Sequence, residues 1–376
     1  MLDRPRRPAR WAGLAVLATF VVVLAGCGDN DAERNQNSLE PRGDSAQKIL
    51  DLFTPFFWIA VVIGVLVVGA TVYVAVRFRA RPGRDDNPKQ LHGSTPLEVG
   101  WTIVPALILA VMAVPTVATI FDLAEDPTGD DVVDIRVIGK QWWWEYEYHD
   151  GEIADDSEPV FVTANEMHIP VDTPVRLRLE SDNVIHSFWV PNLAGKRDLA
   201  PGRVHELTIS SDTVGVYDGQ CAEYCGLSHA NMRLRVIVQE RADYEAWVAA
   251  QQEPLSAAGA EFVTDPEGPI ARYGCTACHA FDGVLDANGN EVAAARVGPN
   301  LTHLGDRTTF AGAIFELNTE NLSKWVRNAP DRKPMSPTKG VGMPAFPAMT
   351  DDEVAALVDF LQCETATNPS DNEACG

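Results

Sequence analysis

Two long apolar stretches decide what this chain can fold into. One runs from about Leu52 to Val76 and the other from Trp101 to about Leu123. Each is near the ~20 residues that cross a bilayer core as a helix, longer than a buried soluble helix needs. Between them lies RFRARPGRDDNPK, which carries Arg77, Arg79, Arg81, Arg84 and Lys89. Basic loops stay in the cytoplasm. The hairpin is therefore expected to turn inside the cell, with everything after about Glu125 outside.

The N-terminus agrees with that topology. MLDRPRRPARWAGLAVLATFVVVLAGCG holds four arginines, an apolar run from Trp11 to Ala25 and the tetrapeptide Leu24-Ala25-Gly26-Cys27. This is the layout of a bacterial secretion signal. The tetrapeptide resembles a lipobox, in which cleavage leaves Cys27 as a lipid-bearing N-terminus; an uncleaved anchor is the alternative. The expected location is the bacterial plasma membrane, multi-pass, with the large C-terminal part extracytoplasmic. The net charge of −23 belongs mostly to that part, in DDVVD, EIADDSE and TDDEVAALVDF. Such acidity argues against nucleic acid and suits solubility or a basic protein partner.

From Val132 to about Gln239 the pattern changes to short runs such as VVDIRVIG, WWWEYEYH, PVRLRLES and RLRVIVQ, broken by Gly, Pro, Asn and Asp. Runs of this length, rich in Val, Ile and aromatics, predict an all-β sandwich or barrel. A small helix-rich region follows a connector near AAQQEPLSAAGAE. In it PEGPIARYGCTACHA and TDDEVAALVDFLQ predict helices separated by Gly/Pro loops. The fold class is thus a multi-domain membrane protein. It comprises a signal segment (1–26), an exported N-terminal segment (27–48), a transmembrane hairpin (49–124), an all-β domain (125–240), a linker (241–262) and a small all-α domain (263–376).

Cys275-Thr-Ala-Cys278-His279 is C-x-x-C-H, the attachment pattern of haem c. Two thiols at this spacing can each form a thioether to a haem vinyl while the adjacent histidine reaches the iron. A methionine from a later loop would complete the iron and raise its potential. Candidates are Met335, Met343 and Met349 in KPMSPTKGVGMPAFPAMT, and His303 is a competing ligand with a surface role as its alternative. The segment resembles class I cytochromes c, whose axial methionine often sits in a Met-Pro pair, and this favours Met343. VGPNLTHLGDR resembles that family's loop beside the haem, with Pro299 near His279. Outside the cell, Cys363 and Cys375 most simply form a disulfide that pins the C-terminal tail.

CAEYCGLSHANM, from Cys221 to Met232, packs two cysteines, a histidine and a methionine into one loop. His186 in VIHSFWVP is a candidate for a further ligand. Two cysteines and two histidines could hold zinc. Zinc has no need of Met232, and thiolate, imidazole and a weak methionine are the donors of copper electron-transfer sites. With two thiolates, both can bridge a pair of copper ions.

Here the chain resembles subunit two of the haem-copper cytochrome c oxidases, with a cupredoxin-like copper A domain. LEVGWTIVPALILA is similar to the start of that subunit's second transmembrane helix, GKQWWWEYEY to its aromatic stretch, and CAEYCGLSHANM carries the copper loop. The fused haem segment makes it look like the caa3-type variant. The resemblance implies that Cys221 and Cys225 bridge the coppers, that His186 and His229 bind one each, and that Met232 and the Glu223 carbonyl are axial. It also implies a magnesium ion on the Glu223 side chain at the boundary with subunit one. Trp142 resembles the tryptophan through which electrons enter near copper A, and Glu98 the acid at the mouth of a proton-uptake channel. The implied partners are the haem-copper oxidase subunit one, further oxidase subunits, and cytochrome c or a bc-type complex as donor. The implied function is to accept electrons at haem c and pass them to copper A and on to subunit one, where dioxygen becomes water with proton pumping.

There are departures from the family pattern. Lys140 stands where many relatives have histidine, and Asn183 where an acid commonly precedes the copper histidine, with Asp182 one position earlier. That acid helps relatives bind soluble cytochrome c, so the donor is expected at the haem domain instead. Other expectations remain open: a copper A nitric oxide reductase component, or a membrane-tethered metal-binding or copper-delivery protein. A quinol oxidase subunit would lack the copper ligands. The chain's eight histidines are scattered and none lies in the two apolar stretches, so the oxygen site is expected in another subunit.

Overall fold

The computed structural model describes residues 36–79, 90, 92–129, 131–154, 157–285, 289, 292, 297–368 and 375. The signal segment, Cys27, and Arg81, Arg84 and Lys89 of the basic loop lie outside the described residues.

The two apolar stretches are helices, α1 (Asp44–Arg77) and α2 (Thr95–Asp122). At 34 and 28 residues they are roughly 51 and 42 Å long, more than a bilayer core needs. Their valines, leucines and isoleucines face outward along the whole length, Val65, Leu66 and Val111 among them. In water such surface would be a liability, and in lipid it is the favourable one. Pro55, Pro105 and Pro115 sit inside these helices.

The start of α1 and the end of α2 lie together beside the β domain. Lys48 pairs with Asp122 at 3.0 Å, which holds the start of α1 beside the end of α2. Ahead of α1, Arg42 N–H donates to Asn192 O at 2.7 Å and Ala46 N–H to Leu193 O at 3.2 Å. Gly43 lies so close that a Cβ there would sit 2.2 Å from Ser210 O. The segment preceding α1 and the β domain therefore share one side of the membrane.

The β domain is a sandwich of two five-stranded sheets built from β1 (Val133–Lys140), β2 (Trp143–His149), β3 (Phe161–Ala164), β4 (Glu166–Pro170), β5 (Val175–Ser181), β6 (His186–Trp189), β7 (Arg197–Leu199), β8 (His205–Ile209), β9 (Gly215–Cys221) and β10 (Arg233–Gln239). The orders are β3-β2-β1-β5-β8 and β4-β10-β9-β6-β7. β1 runs parallel to β5 and β4 to β10, and the other pairings are antiparallel. In β5 and β10 buried and half-buried residues alternate, the period-two pattern of a sheet with one face on the core. Ile135, Val137, Leu177, Leu179, Phe188 and Val236 fill the space between the sheets. In β2 every residue from Trp143 to Tyr148 is buried. One face meets that core, while the other is covered by neighbouring segments.

The stretch 241–262, expected as a linker, holds helix α3 (Arg241–Gln251) and the start of α4 (Ala257–Thr264). Trp247 of α3 stacks on His168 at 4.1 Å and meets Tyr148 and Phe161 edge-on. The connector is thus anchored to the sandwich by an aromatic cluster.

The last region is a small domain of α4, α5 (Pro269–Arg272), α6 (Thr319–Arg327), α7 (Ala329–Arg332) and α8 (Asp351–Asp359) around Phe281, Leu322, Val326, Leu357 and Phe360. It also carries a two-stranded ribbon, β11 (Thr309–Phe310) and β12 (Phe315–Glu316). PEGPIARYGCTACHA is not one helix. Gly274 takes a left-handed conformation (φ +68°) after α5, and Cys275–Ala277 then forms a separate 3-10 turn. Cys363 and Cys375 are joined by a disulfide, with Cα atoms 5.5 Å apart.

Candidate metal centre and haem segment

Three elements of one sheet build the copper loop's pocket. β9 ends on Cys221, β6 begins on His186, and the loop after β9 closes through Cys225 and a 3-10 turn at His229–Asn231 onto Met232. Pairing of Phe188 with Cys221 sets β6 against β9. Cys221 N–H donates to Met232 O at 2.9 Å, so the loop's two ends are hydrogen-bonded together.

The donor atoms form a chain of near-equal steps. His186 Nδ1 is 3.9 Å from Cys221 Sγ, the two sulfurs are 3.8 Å apart, and Cys225 Sγ is 3.7 Å from His229 Nδ1 and 3.8 Å from Met232 Sδ. Bonds of about 2.0–2.3 Å to a tetrahedral ion place neighbouring donors about 3.3–3.8 Å apart, so these spacings suit donors sharing metal. The donors of His186, Cys221 and Cys225 lie within 4.8 Å of one another, and His229 stands outside that trio. A single tetrahedral ion would gather all four. Two ions bridged by the sulfurs would give each its own histidine, and this donor set fits that arrangement. The Glu223 carbonyl lies 3.1 Å from Cys221 Sγ, while its carboxylate is on the exposed side and accepts from Tyr224 N–H.

The electrostatics favour a thiolate. The Cys225 thiol beside it pulls Cys221 well below the usual thiol range, with help from the His186 ring and nearby backbone groups and against its burial, while the same contact and burial push Cys225 up. Binding a metal to two thiolates releases protons from the pair.

Neighbouring residues fix the histidine. Asn183 Oδ1 lies 3.1 Å from His186 Nε2 and also accepts from Val184 N–H at 2.8 Å. The ring therefore donates through Nε2 and keeps the Nδ1 lone pair for a metal, the usual arrangement of a ligand imidazole. Its ring plane is set by Gly139, where a Cβ would lie 2.8 Å from His186 Cδ2, and by the edge of Trp144 at 6.0 Å. In the sequence Asn183 stands out only by its missing charge, which does not reveal this contact. Its spacing, three residues ahead of His186 in a tight turn, was the available signal.

Trp142 is buried, and its indole N–H donates to Cys225 O at 3.0 Å, alongside Gln141 Nε2 at 2.7 Å. Trp143 and Trp144 are buried as well. Lys140 pairs with Glu145 at 3.0 Å and lies over the Trp143 ring.

In the haem segment, Cys275 and Cys278 are free thiols. His279 Nδ1 donates to Pro299 O at 2.8 Å, which leaves Nε2 to face an iron. Gly298 allows this approach, because a Cβ there would lie 2.7 Å from His279 Cε1. Burial holds His279 below the usual imidazole range, against the pull of the Pro299 carbonyl and with help from the Arg307 guanidinium, which favours the neutral ring that a ligand needs. A C-x-x-C-H turn whose histidine is already oriented in this way fits covalent haem. Of the methionines, Met349 is buried in the domain core, Met335 packs against the copper domain's core, and Met343 is half-buried in a loop after a 3-10 turn. His303 is buried, not on the surface. Its Nε2 meets Glu253 O at 3.0 Å and its Nδ1 lies 3.8 Å from Asp306. Glu98 is in the first turn of α2, where it accepts from Ser94 N–H.

Three known families match this layout. Cytochrome C oxidase subunit II, transmembrane domain, matches residues 38–119; its periplasmic domain matches 133–240; and Cytochrome c matches 256–363. A cytochrome c oxidase subunit 2 of Alkalihalophilus pseudofirmus is 35% identical over 358 residues, covering 92% of this chain and 95% of that protein.

The chain belongs to the cytochrome c oxidase subunit 2 family.

A second subunit 2, from Bacillus subtilis, is 31% identical over 94% of this chain and 97% of its own length. Among solved structures, the periplasmic domain of subunit II (CoxB) of Bradyrhizobium japonicum is 34% identical, covers 34% of this chain and 96% of that one, and has a TM-score of 0.28. As a subunit 2 with a C-terminal cytochrome c domain, this chain is membrane-anchored and part of a haem-copper oxidase complex, and its domains imply copper A and haem c.

Proposed function

We propose that this subunit is where electrons enter an aerobic respiratory oxidase: a donor delivers them to the haem domain, they reach the copper loop, and they continue to the catalytic subunit, which reduces dioxygen to water with proton pumping. Haem c and copper A, when bound, each supply a one-electron couple. The observation that carries the reading is the copper loop itself, two thiols 3.8 Å apart with a histidine at each end. Cys221, Cys225, His186, His229, Met232 and the Glu223 carbonyl would hold the coppers. Cys275, Cys278, His279 and Met343 would hold the haem.

The protein's own groups do the holding. Asn183 and Pro299 orient one histidine at each centre. Trp142 fastens the loop backbone and offers a π-system beside it. The loop's outer face exposes Tyr224 (75%) and Leu227 (62%) next to the Glu223 carboxylate. Large exposed apolar side chains on a metal loop suit a protein partner. We assign this face to subunit one, with magnesium on Glu223. The extracytoplasmic side, the proton-channel role of Glu98 and lipidation at Cys27 belong to the same proposal.

The test uses the assembled oxidase. His186→Ala or Met232→Leu is expected to leave haem c reducible by its donor while blocking its reoxidation by oxygen. Reoxidation at the unmodified rate would contradict the proposed order.

A further inference from the structure

The haem domain does not hang from the copper domain by its tether alone. Glu166, at the start of β4, is buried, and its carboxylate accepts from Thr308 N–H (3.0 Å) and Oγ1 (2.6 Å) and from Thr309 N–H (2.7 Å) and Oγ1 (2.5 Å). All four donors belong to the haem domain. Arg235 of β10 adds a bond from Nη1 to Thr308 Oγ1 at 3.1 Å.

A second buried clamp points the other way. Lys333 of the haem domain is 4% exposed, and its Nζ donates to Trp142 O across the seam and to Ala311 O of its own domain, both at 2.7 Å; burial pulls its pKa down to about 7. Between the clamps the backbones touch. Arg233 N–H donates to Gly312 O at 3.0 Å, and Ser228 Oγ bonds Pro334 O. Gly312 has φ +83°, and a Cβ there would meet Asn231 O at 2.9 Å and Trp142 O at 3.2 Å, so only glycine permits this approach. Met335 and Val341 pack on the copper domain's core.

Burying a carboxylate and an ammonium is costly unless every bond is made. All of Glu166's donors and one of Lys333's two acceptors, Trp142 O, come from the opposite domain, which selects one register rather than a family of loose contacts. The seam lies on Trp142 and on the segment from Ser228 to Arg233 that contains His229 and Met232. We infer that Glu166 and Lys333 are positioning residues that lock the haem domain in one register over Trp142, so that electrons cross between the two domains at a fixed contact. Trp142 is then closed to a soluble donor, which meets the outer surface of the haem domain. This inference rests on the proposed order of electron flow.

The test is made in the complete oxidase by flash reduction of haem c, following arrival of the electron at copper. The unmodified complex is expected to transfer at a rate that does not change when glycerol raises the viscosity. Lys333→Met and Glu166→Gln are expected to slow transfer by about 10-fold or more, since small misplacements of reacting partners are costly. They should also make the rate viscosity-dependent, with unchanged haem and copper potentials and unchanged reduction of haem c by its donor. A wild-type rate that falls with viscosity, or variants that transfer at the wild-type rate, would overturn the inference. The viscosity series needs no variant, so a chain that fails to assemble does not remove the test. Absence of any haem-to-copper transfer in the unmodified complex would instead overturn the electron order, a distinguishable failure.

Discussion

At the scale of single residues, small contacts decide whether the copper donors point correctly. Asn183 holds His186 by Nε2, and removing an outer partner of a metal-binding histidine typically costs 10–100-fold in affinity. Asn183→Leu is therefore expected to weaken copper retention by roughly 10- to 100-fold in competition against a chelator, with the fold intact. Unchanged retention would mean that Gly139 and Trp144 suffice to hold the ring. The proposed copper donors stand out in the sequence because metal chemistry demands particular side chains at short spacings, and Cys221, Cys225, His229 and Met232 sit within one loop. His186 comes from a separate strand: the loop's need for a further strong ligand marks it as a candidate, and the resemblance gives it its role. Asn183 and Lys333 were not legible as contacts, since an amide or an ammonium carries no signal until the backbone carbonyl or ring it meets is in place.

At the scale of elements, the helices and strands followed from period and length, whereas the junctions did not. The membrane helices and the alternating β5 and β10 are written in the apolar pattern. The break at Gly274, the ribbon of β11 and β12 and the anchoring of α3 by Trp247 depend on tertiary contacts that the pattern does not encode. α8 begins with a capping box, in which Thr350 Oγ1 accepts from Glu353 N–H and Glu353 returns a bond to Thr350 N–H. Glu353 also reaches Arg272 and Tyr273, just ahead of the C-x-x-C-H turn. Thr350→Ala is expected to cost the haem domain ~1 kcal/mol, which calorimetry would read as a Tm lower by roughly 4–8 °C, while the haem stays attached. Loss of covalent haem would show that the cap positions the thiols as well. A pH effect belongs to α3 and the residues just after it, where Trp247 stacks on His168 and Glu253 O meets His303. Burial holds His168 and His303 below the usual imidazole range against the pulls of Gln239 and Glu166 on one and Asp306 on the other. Because their folded pKa values are depressed, the stability they contribute is complete above about 6.5, the ordinary imidazole value, and is lost as pH falls through the folded values. Thermal melts should move down between neutral pH and pH about 5, less steeply in His168→Gln. An equal slope in that variant would contradict the assignment.

At the scale of the whole molecule, the account is of two redox domains and a membrane hairpin held in one arrangement. The order of domains was visible in the sequence because each announces itself by a different pattern: apolar length, strand period, and C-x-x-C-H. How they meet was not visible, because Glu166, Thr308, Gly312 and Lys333 are ordinary residues until two surfaces are brought together. The central claim is that the loop from Cys221 to Met232, with His186, holds a pair of coppers that share one electron. It is tested most directly by metal analysis of the loaded protein together with its electron spin resonance spectrum. The account predicts two coppers per chain and a single unpaired electron coupled equally to both nuclei. One bound zinc, or one copper with an electron confined to a single nucleus, would contradict it.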